Sequence, residues 1–289
     1  MTIRFSVVVP CYNEESYVAD AIRALQRQEF DGEYEIVVVD NNSTDATAEI
    51  ARGLGVRVVT EHQPGVCNAR QAGTAASRGE IVVSTDADTT HAPDWLAKID
   101  RGFHSGDDVV AVVGPCRYKD GPSWGRVFAR ALFGAVGLVY RATGRTCYVS
   151  ATNIAFRRDR WDGYDTTMTQ GGDELDVLRR LRRQGEVVYD GTNPTFTSGR
   201  RFARGLLYNV FVSLFVFYLS AYLLNRVFGR RVLGSAPAFR DSRPAPVRRF
   251  RVAMVGLLVA LSLTAFDKPR HYVAHTTDHV VDYVEGRPR

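Results

Sequence analysis

The chain has 289 residues, which is long enough for one large α/β domain or for one domain with an appendage. Its composition, with 45% hydrophobic and 24% charged residues, is that of an ordinary globular core. The formal net charge of +5 is too modest to indicate a nucleic-acid-binding protein. The four cysteines lie far apart without a Cys-x-x-Cys pair, which argues against a structural zinc site and a disulfide framework.

Short apolar runs along the first part of the chain predict buried β-strands. Each run is rich in β-branched residues and is followed by polar residues or glycine. The predicted strands are Phe5–Val9, Ile36–Val39, Val56–Val59, Ile81–Val83 and Val109–Val113.

Helical patterns fill the intervals between these strands. Asn13 is the predicted N-cap of the first helix, and Ser43 or Thr44 that of the second. A third helix is predicted from about Pro64 to Arg78, with small residues along one side for close packing on a sheet. Strands that alternate with short helices predict a mainly parallel, doubly wound sheet that is covered on both faces.

Polar residues follow the first, second and fourth predicted strands, at residues 10–14, 40–43 and 84–88. Ligands of open α/β sheets bind outside the carboxyl ends of the strands, so these residues are expected to meet at one edge. Asp86 and Asp88 are two residues apart and would project to the same side of an extended backbone. Two adjacent carboxylates repel each other unless a cation lies between them, and their hard oxygens suit Mg²⁺ or Mn²⁺. The alternative for this pair is a capped turn.

Two common nucleotide-binding motifs are missing from the sequence. There is no Gly-x-Gly-x-x-Gly after the first strand and no Gly-Lys-Ser/Thr loop. The absence of the two motifs argues against a dinucleotide-dependent oxidoreductase and against a P-loop NTPase.

The sequence resembles glycosyltransferase family 2, the inverting enzymes with the Rossmann-like GT-A fold, over roughly residues 4–200. The resemblance lies in the blocks at residues 7–15 (VVVPCYNEE), 37–45 (VVVDNNSTD) and 64–73 (PGVCNARQAG), and in the Asp-Ala-Asp at 86–88. It implies transfer of a sugar from a nucleoside-diphosphate sugar with the help of a divalent metal. The Gln-x-x-Arg-Trp signature of processive synthases is missing, which favours transfer of a single sugar.

The resemblance also implies roles for individual residues. Tyr12 would lie against the nucleotide base, Asp40 would accept a hydrogen bond from it, and Arg70 would approach the diphosphate. The alternative for Arg70 is a surface ion pair. Asp86 and Asp88 would bind the metal. The residues expected to bind the donor nucleotide are Pro10, Tyr12, Glu14, Asp40, Asn42, Arg70 and Asp86.

The catalytic base is expected at residues 171–178 (GGDELDVL), which resemble the family's later acidic block at a helix start. Matching by position puts Glu174 where the family's aspartate stands, and Asp173 remains the alternative. A structural alternative is that Asp173 only caps the helix, because carboxylates favour the first helical turn.

The last third of the sequence predicts a membrane-associated helical region. Leu206–Asn225 contains 20 residues without a charge, enough to cross a bilayer core of roughly 30 Å. Val252–Phe266 is a shorter apolar block of 15 residues, and the seven arginines between Gly229 and Arg251 would suit anionic lipid head groups. One or both blocks are expected to lie in the membrane interface or to re-enter, and a hairpin of two spans is an alternative. Burial of Leu206–Asn225 in a protein core or dimer is a further alternative. The predicted division is therefore a catalytic domain at 1–204 and a membrane-associated region at 205–289.

The resulting hypothesis is a membrane-associated, metal-dependent inverting glycosyltransferase. Its expected partners are a nucleoside-diphosphate sugar, a lipid-linked acceptor and the membrane, without nucleic acid. No secretory signal peptide is indicated at Ile3–Val9, so the catalytic domain is expected on the cytoplasmic side. The alternatives are a nucleotidyltransferase acting on a sugar phosphate and a catalytically inactive, membrane-bound sugar-binding scaffold.

Overall fold

A computed structural model describes residues 2–166, 173–205 and 208. The described residues form ten strands and six α-helices in alternating order. The strands are β1 (Phe5–Cys11), β2 (Tyr34–Asp40), β3 (Arg57–Thr60), β4 (Ile81–Ser84), β5 (Thr89–Thr90), β6 (Val109–Val113), β7 (Cys116–Tyr118), β8 (Ile154–Arg157), β9 (Glu186–Tyr189) and β10 (Thr195–Thr197). The helices are α1 (Val18–Gln26), α2 (Thr47–Gly53), α3 (Val66–Ala76), α4 (Trp95–Phe103), α5 (Ser123–Thr143) and α6 (Asp173–Leu181).

Seven of these strands form the main sheet, in the order β3-β2-β1-β4-β8-β6-β9. All five predicted strands are present in it, each with the predicted core and slightly different ends. The pairs from β3 through β4 are parallel, as is β6 with β9, whereas β8 runs antiparallel to both of its neighbours. The sheet is therefore mixed, with a single antiparallel strand among the described residues of a mainly parallel array.

Helices cover both faces of the sheet, which confirms the doubly wound architecture. Alternate residues of a strand point to opposite faces, and β1 shows this directly. Val7 and Val9 belong to the cluster of buried side chains that includes residues of α1 and α4, whereas Val8 belongs to a second cluster that includes Ala69 of α3. Gly73 of α3 lies so close to β1 that an added Cβ would overlap the side chain of Val8. The side of α3 that carries small residues therefore packs closely on the sheet, as predicted.

A second sheet, β5-β10-β7, lies outside the main one and was not predicted. It consists of three short strands, with β10 antiparallel to β5 and parallel to β7. Its strands are only two or three residues long, so hydrophobic periodicity has no room to reveal them.

The predicted helix starts were wrong at the first two helices. Helix α1 begins at Val18, and Asn13 adopts a positive φ of 53° in the preceding loop instead of capping the helix. Helix α2 begins at Thr47, and the carboxylate of Asp45, rather than Ser43 or Thr44, accepts a hydrogen bond from the Thr47 amide. The polar residues that follow β1 and β2 form loops at the edge of the sheet instead of capping helices.

The predicted membrane-associated region, 205–289, lies outside the described residues except for Gly205 and Tyr208. Both apolar blocks, Leu206–Asn225 and Val252–Phe266, and the arginines between them therefore remain sequence predictions, as does the division at residue 204. Within the described part of the chain, no helix has the length and apolar character needed to span a membrane.

Candidate active site

The carboxyl ends of β1, β2 and β4 meet at one edge of the sheet, as predicted. Cys11 pairs with Asp40 in the parallel register, so the loops that follow β1 and β2 start side by side. Asn13 joins the two loops: its amide donates to Ser43 Oγ at 3.0 Å, and its side-chain oxygen accepts from the Thr44 amide at 2.7 Å. Asparagine tolerates the left-handed backbone that this loop requires.

Besides Glu14, four of the expected nucleotide-binding residues lie at the ends of β1 and β2 or in the loops that follow them. Pro10 is half-buried within β1, and Tyr12 is 43% exposed just beyond it. Asp40 is buried at the end of β2, and one of its oxygens accepts from the Ser43 amide at 3.1 Å. Asn42, at a positive φ of 65°, is exposed and donates to the backbone carbonyl oxygens of residues 61 and 62. The side chain of Tyr12 is thus partly exposed to solvent at this edge of the sheet.

Arg70 reaches this edge from the third helix, α3. It is only 5% exposed, and its Nη2 lies 3.0 Å from Oδ1 of Asp86, which follows β4. The pair is therefore internal to the site and is not the surface ion pair that was the alternative reading of Arg70. The predicted diphosphate contact and the predicted metal ligand are adjacent.

Asp88 is held by residues from the far end of the described chain. Its Oδ1 accepts from the Thr197 hydroxyl at 2.9 Å, and its Oδ2 lies 3.0 Å from Arg200 Nη2. Burial raises the pKa of Asp88, and the neighbouring charge of Asp86 raises it further, while Arg200 acts in the opposite direction.

Arg200 also binds the side chain of Glu14. The two Nη atoms of Arg200 lie 2.8 and 2.7 Å from the two carboxylate oxygens of Glu14, which is 4% exposed. The guanidinium lies 4.8 Å from the ring centroid of Tyr17, a cation–π distance. One arginine therefore links the loop after β1 to the acidic pair after β4.

The arrangement of Asp86 and Asp88 fits a divalent cation. Both are carboxylates, the ligands that Mg²⁺ and Mn²⁺ prefer, and their mutual repulsion would be relieved by a positive ion. No cluster of three or more His, Cys, Asp or Glu side chains that could hold a metal occurs among the described residues. Asp86 and Asp88 would supply two ligands and leave positions open for phosphate oxygens and water, as Mg²⁺ sites commonly do.

The two candidates for the catalytic base stand at the start of α6. This helix begins at Asp173, as the acidic block predicted, but the side chains of Asp173 and Glu174 lie outside the described residues. The next carboxylate, Asp176, is buried, and its two oxygens lie 3.2 and 2.8 Å from Arg179 and Arg180. Both carboxylate oxygens of Asp176 are therefore engaged by arginines within the helix. Glu174 and Asp173 remain the two candidates predicted from the sequence.

No local sequence pattern revealed the partners of Arg200. Neither Thr197 nor Asp120 was singled out. Asp120 accepts hydrogen bonds from the Ser198 hydroxyl and the Gly199 amide, which holds the backbone just before Arg200. Glu14 and Arg200 are 186 residues apart, so no local pattern could have predicted their contact.

Comparison with known proteins defines the class. The sequence model of Glycosyl transferase family 2 matches residues 6–163, more than half of the chain, and the protein belongs to this family. The undecaprenyl-phosphate 4-deoxy-4-formamido-L-arabinose transferase of Edwardsiella ictaluri is 34% identical over 155 residues, covering 50% of this chain and 46% of that protein. The dolichyl-phosphate hexose transferase of Haloferax volcanii is 37% identical over 106 residues, covering 37% of this chain and 46% of that protein.

The chain thus spans about half the length of the curated relatives that it matches. Among solved structures, glucosyl-3-phosphoglycerate synthase from Mycobacterium tuberculosis superimposes with a TM-score of 0.51 at 19% identity, over 90% of this chain and 80% of that one. At this identity the likeness concerns the fold alone, which is a GT-A-like mixed α/β sheet.

Proposed function

We propose that this protein transfers a single sugar from a nucleoside-diphosphate sugar to a hydroxyl or phosphate group of a lipid-linked acceptor, with inversion at the anomeric carbon. The observation that supports it most is the meeting of Asp86 and Asp88 with Arg70 and Arg200 at the carboxyl edge of a family 2 sheet. This edge combines carboxylates for a cation with guanidinium groups for phosphate oxygens.

The residues divide into donor and acceptor functions. The exposed ring of Tyr12 would stack on the base, and Asp40 would accept a hydrogen bond from it. Arg70 and Arg200 would bind the diphosphate through charge-assisted hydrogen bonds. Asp86 and Asp88 would hold Mg²⁺ or Mn²⁺, which when bound neutralises charge on the departing nucleoside diphosphate.

The acceptor side requires a base when the acceptor is a hydroxyl. Glu174, with Asp173 as the alternative, would take the proton from that hydroxyl as its oxygen attacks the anomeric carbon. The bond from this carbon to the diphosphate breaks, and the nucleoside diphosphate leaves from the opposite face. The lipid-linked acceptor is supported by the names of two relatives, which transfer sugars to undecaprenyl phosphate and dolichyl phosphate.

Product analysis tests this proposal. Nucleotide sugars are first screened with Mn²⁺ for those that raise the melting temperature of the full chain. The donors found are then incubated with polyprenyl phosphates and with glycolipids. Release of a nucleoside diphosphate together with a glycosylated lipid is expected. Release of pyrophosphate would instead identify a nucleotidyltransferase, and the lack of transfer and donor hydrolysis under all conditions would identify an inactive scaffold.

A further inference from the structure

Helix α5 (Ser123–Thr143) exposes an unusual amount of apolar surface. Five large hydrophobic side chains are exposed among the described residues, and four of them lie on this helix. Val127 is 62% exposed, Phe128 48%, Leu138 61% and Val139 39%; the fifth is Tyr12 of the candidate site. Monomeric soluble proteins rarely expose apolar residues in such a contiguous group.

The exposed residues form one continuous strip along α5. Val127 and Leu138 are eleven residues apart, so at about 100° per residue they lie within about 20° of each other around the axis. Exposed Ala131 and Gly134 lie between them, and Phe128 and Val139 form an adjoining row with the same spacing. The opposite side of the helix, with Phe133 and Val136, is buried against the sheet. A helix that is apolar on both sides needs a second apolar environment.

Positive charge borders this strip on one side. Arg126, Arg130 and Arg141 are exposed and lie within about 100° of Val127 around the axis. None of the three forms an ion pair with a carboxylate that the structure describes; Arg126 donates to the neutral carbonyl oxygen of Gly121 at 2.7 Å. Helix α5 itself contains no Asp or Glu. An apolar face with a border of arginines is typical of helices that lie in the interface of an anionic membrane.

The strip begins close to the candidate active site. Phe202 packs edge-on against Trp124 at 4.8 Å between ring centroids, and an added Cβ at Gly125 would come within 2.7 Å of the Phe202 ring. Phe202 is two residues beyond Arg200, which binds Asp88. In the sequence, the uncharged segment Leu206–Asn225 begins four residues after Phe202.

We infer that the exposed strip of α5 is a membrane-docking face, which sets this helix in the interface of an anionic bilayer next to the active site. A lipid surface provides both apolar depth and negative charge. A second copy would bring like-charged arginines near each other, and Leu206–Asn225 has no charge to offer them. The inference deepens the proposed function by naming the surface that approaches a lipid acceptor.

Vesicle binding of the full chain tests the inference without donor or acceptor, so its failure is distinct from failure of the proposed function. The vesicles contain equal parts of phosphatidylglycerol and phosphatidylcholine. The R126Q/R130Q/R141Q variant is expected to lose about fivefold in affinity for each arginine that reaches the surface, since each contributes about 1 kcal/mol there. Its control, R23Q/R27Q/R52Q, removes three exposed arginines of α1, α2 and the turn after α1. Equal losses in both triple variants would overturn the proposal.

A label on α5 keeps the test decisive if other parts of the chain also bind lipid. A nitroxide is attached at L138C, or at A75C, an exposed position of α3, as the control. Both variants carry C147S because Cys147 is the exposed cysteine. With vesicles, the label at 138 should gain access to oxygen and lose access to a water-soluble nickel complex, while the label at 75 stays in water. An unchanged label at 138 would refute docking. Protection without vesicles would also refute it, assigning the strip to a second copy if it depends on protein concentration and to Leu206–Asn225 if it does not.

Discussion

The Nη2 atom of Arg200 lies 3.0 Å from Oδ2 of Asp88 and 2.7 Å from Oε1 of Glu14. A single guanidinium group thus balances two carboxylates that come from different strands. A divalent cation bound by Asp88 would share this carboxylate with Arg200. In the proposed function, the charge of Arg200 would therefore oppose cation binding while the donor is absent, and it would bind phosphate oxygens once the donor is present.

Substitution of Arg200 is expected to separate these effects. Arg200→Gln should bind Mn²⁺ more tightly than wild type without nucleotide, because a competing positive charge is gone, yet bind the donor more weakly. It should also lose roughly 3 kcal/mol of unfolding free energy, because buried Glu14 loses its ionic partner. Calorimetric titration measures the affinities for Mn²⁺ and for the donor, and denaturant unfolding measures the stability. Arg23→Gln on α1 is the control. Weaker Mn²⁺ binding with unchanged donor binding would contradict this role.

Asp88→Asn should abolish transfer while the fold persists, and it should change how stability depends on pH. The pKa of Asp88 is raised above its ordinary value of 3.8, first by burial and then by Asp86. The protonated carboxyl therefore contributes stability at low pH that is lost as the pH rises through the folded pKa. In EDTA, the unfolding free energy of Asp88→Asn relative to that of wild type should therefore increase as the pH rises through this range.

Added Mn²⁺ should reverse that order at neutral pH, because it stabilises only the form with both carboxylates. Thermal unfolding with EDTA or with Mn²⁺, followed over a pH series, provides the measurement. Full transfer activity of Asp88→Asn, or of wild type in excess EDTA, would sink the metal hypothesis.

The base is tested with two isosteric variants at the start of α6. Glu174→Gln retains the size of the side chain but cannot take a proton, so turnover on a hydroxyl acceptor should fall by roughly 10²–10⁴-fold. Donor affinity should barely change, because the substitution leaves the donor loops intact. Single-turnover rates of Glu174→Gln and Asp173→Asn decide the assignment. If Asp173→Asn is inactive and Glu174→Gln is active, the base is Asp173.

The parts of the fold that local patterns specify could be predicted from the sequence. Apolar runs followed by polar residues gave the parallel strands and the meeting of Asp40 with Asp86 and Asp88 at one edge. The antiparallel β8 was not predicted, since an isolated apolar run does not reveal its direction or its partners. The contacts of Arg200 with Glu14 and Asp88 could not be predicted, because they join segments that are far apart in the sequence. The prediction that Asn13 caps a helix was wrong, because a polar residue after a strand can either begin a helix or form hydrogen bonds between two loops.

Packing of α3 on the sheet is tested at Gly73. Gly73→Ala should destabilise the fold by roughly 1–3 kcal/mol, because the new methyl group overlaps Val8 and comes within 2.8 Å of Val39 Cγ2. Gly53→Ala is the control at the end of α2, where no heavy atom lies within 4 Å of an added Cβ. This change should be neutral or stabilising by up to about 1 kcal/mol. Urea unfolding of the two variants gives the comparison, and equal effects would show that α3 can move away from β1.

His91 is expected to make the fold sensitive to acid. Burial lowers the pKa of His91 from its ordinary 6.5 to about 3, with the charge of Lys119 as a second cause. The ring packs at 4.0 Å between centroids from Trp95, and its Nε2 lies 2.8 Å from the Thr85 hydroxyl, just before the acidic pair. Between pH 6.5 and about 3, the unfolded chain binds a proton that folded His91 does not. The stability associated with neutral His91 is therefore complete above pH 6.5 and is lost as the pH falls toward 3.

The size of this effect has an upper limit. One proton gives a slope of at most about 1.4 kcal/mol per pH unit. His91→Phe retains a ring against Trp95 but cannot titrate, so its unfolding free energy should fall less steeply than that of wild type over the window, although its absolute stability drops because Thr85 loses a partner. His104→Gln, at the exposed end of α4, is the control for removal of a histidine. Denaturant unfolding at half-unit pH steps measures the slopes, and the idea fails if His91→Phe keeps the wild-type slope or if both variants change it equally.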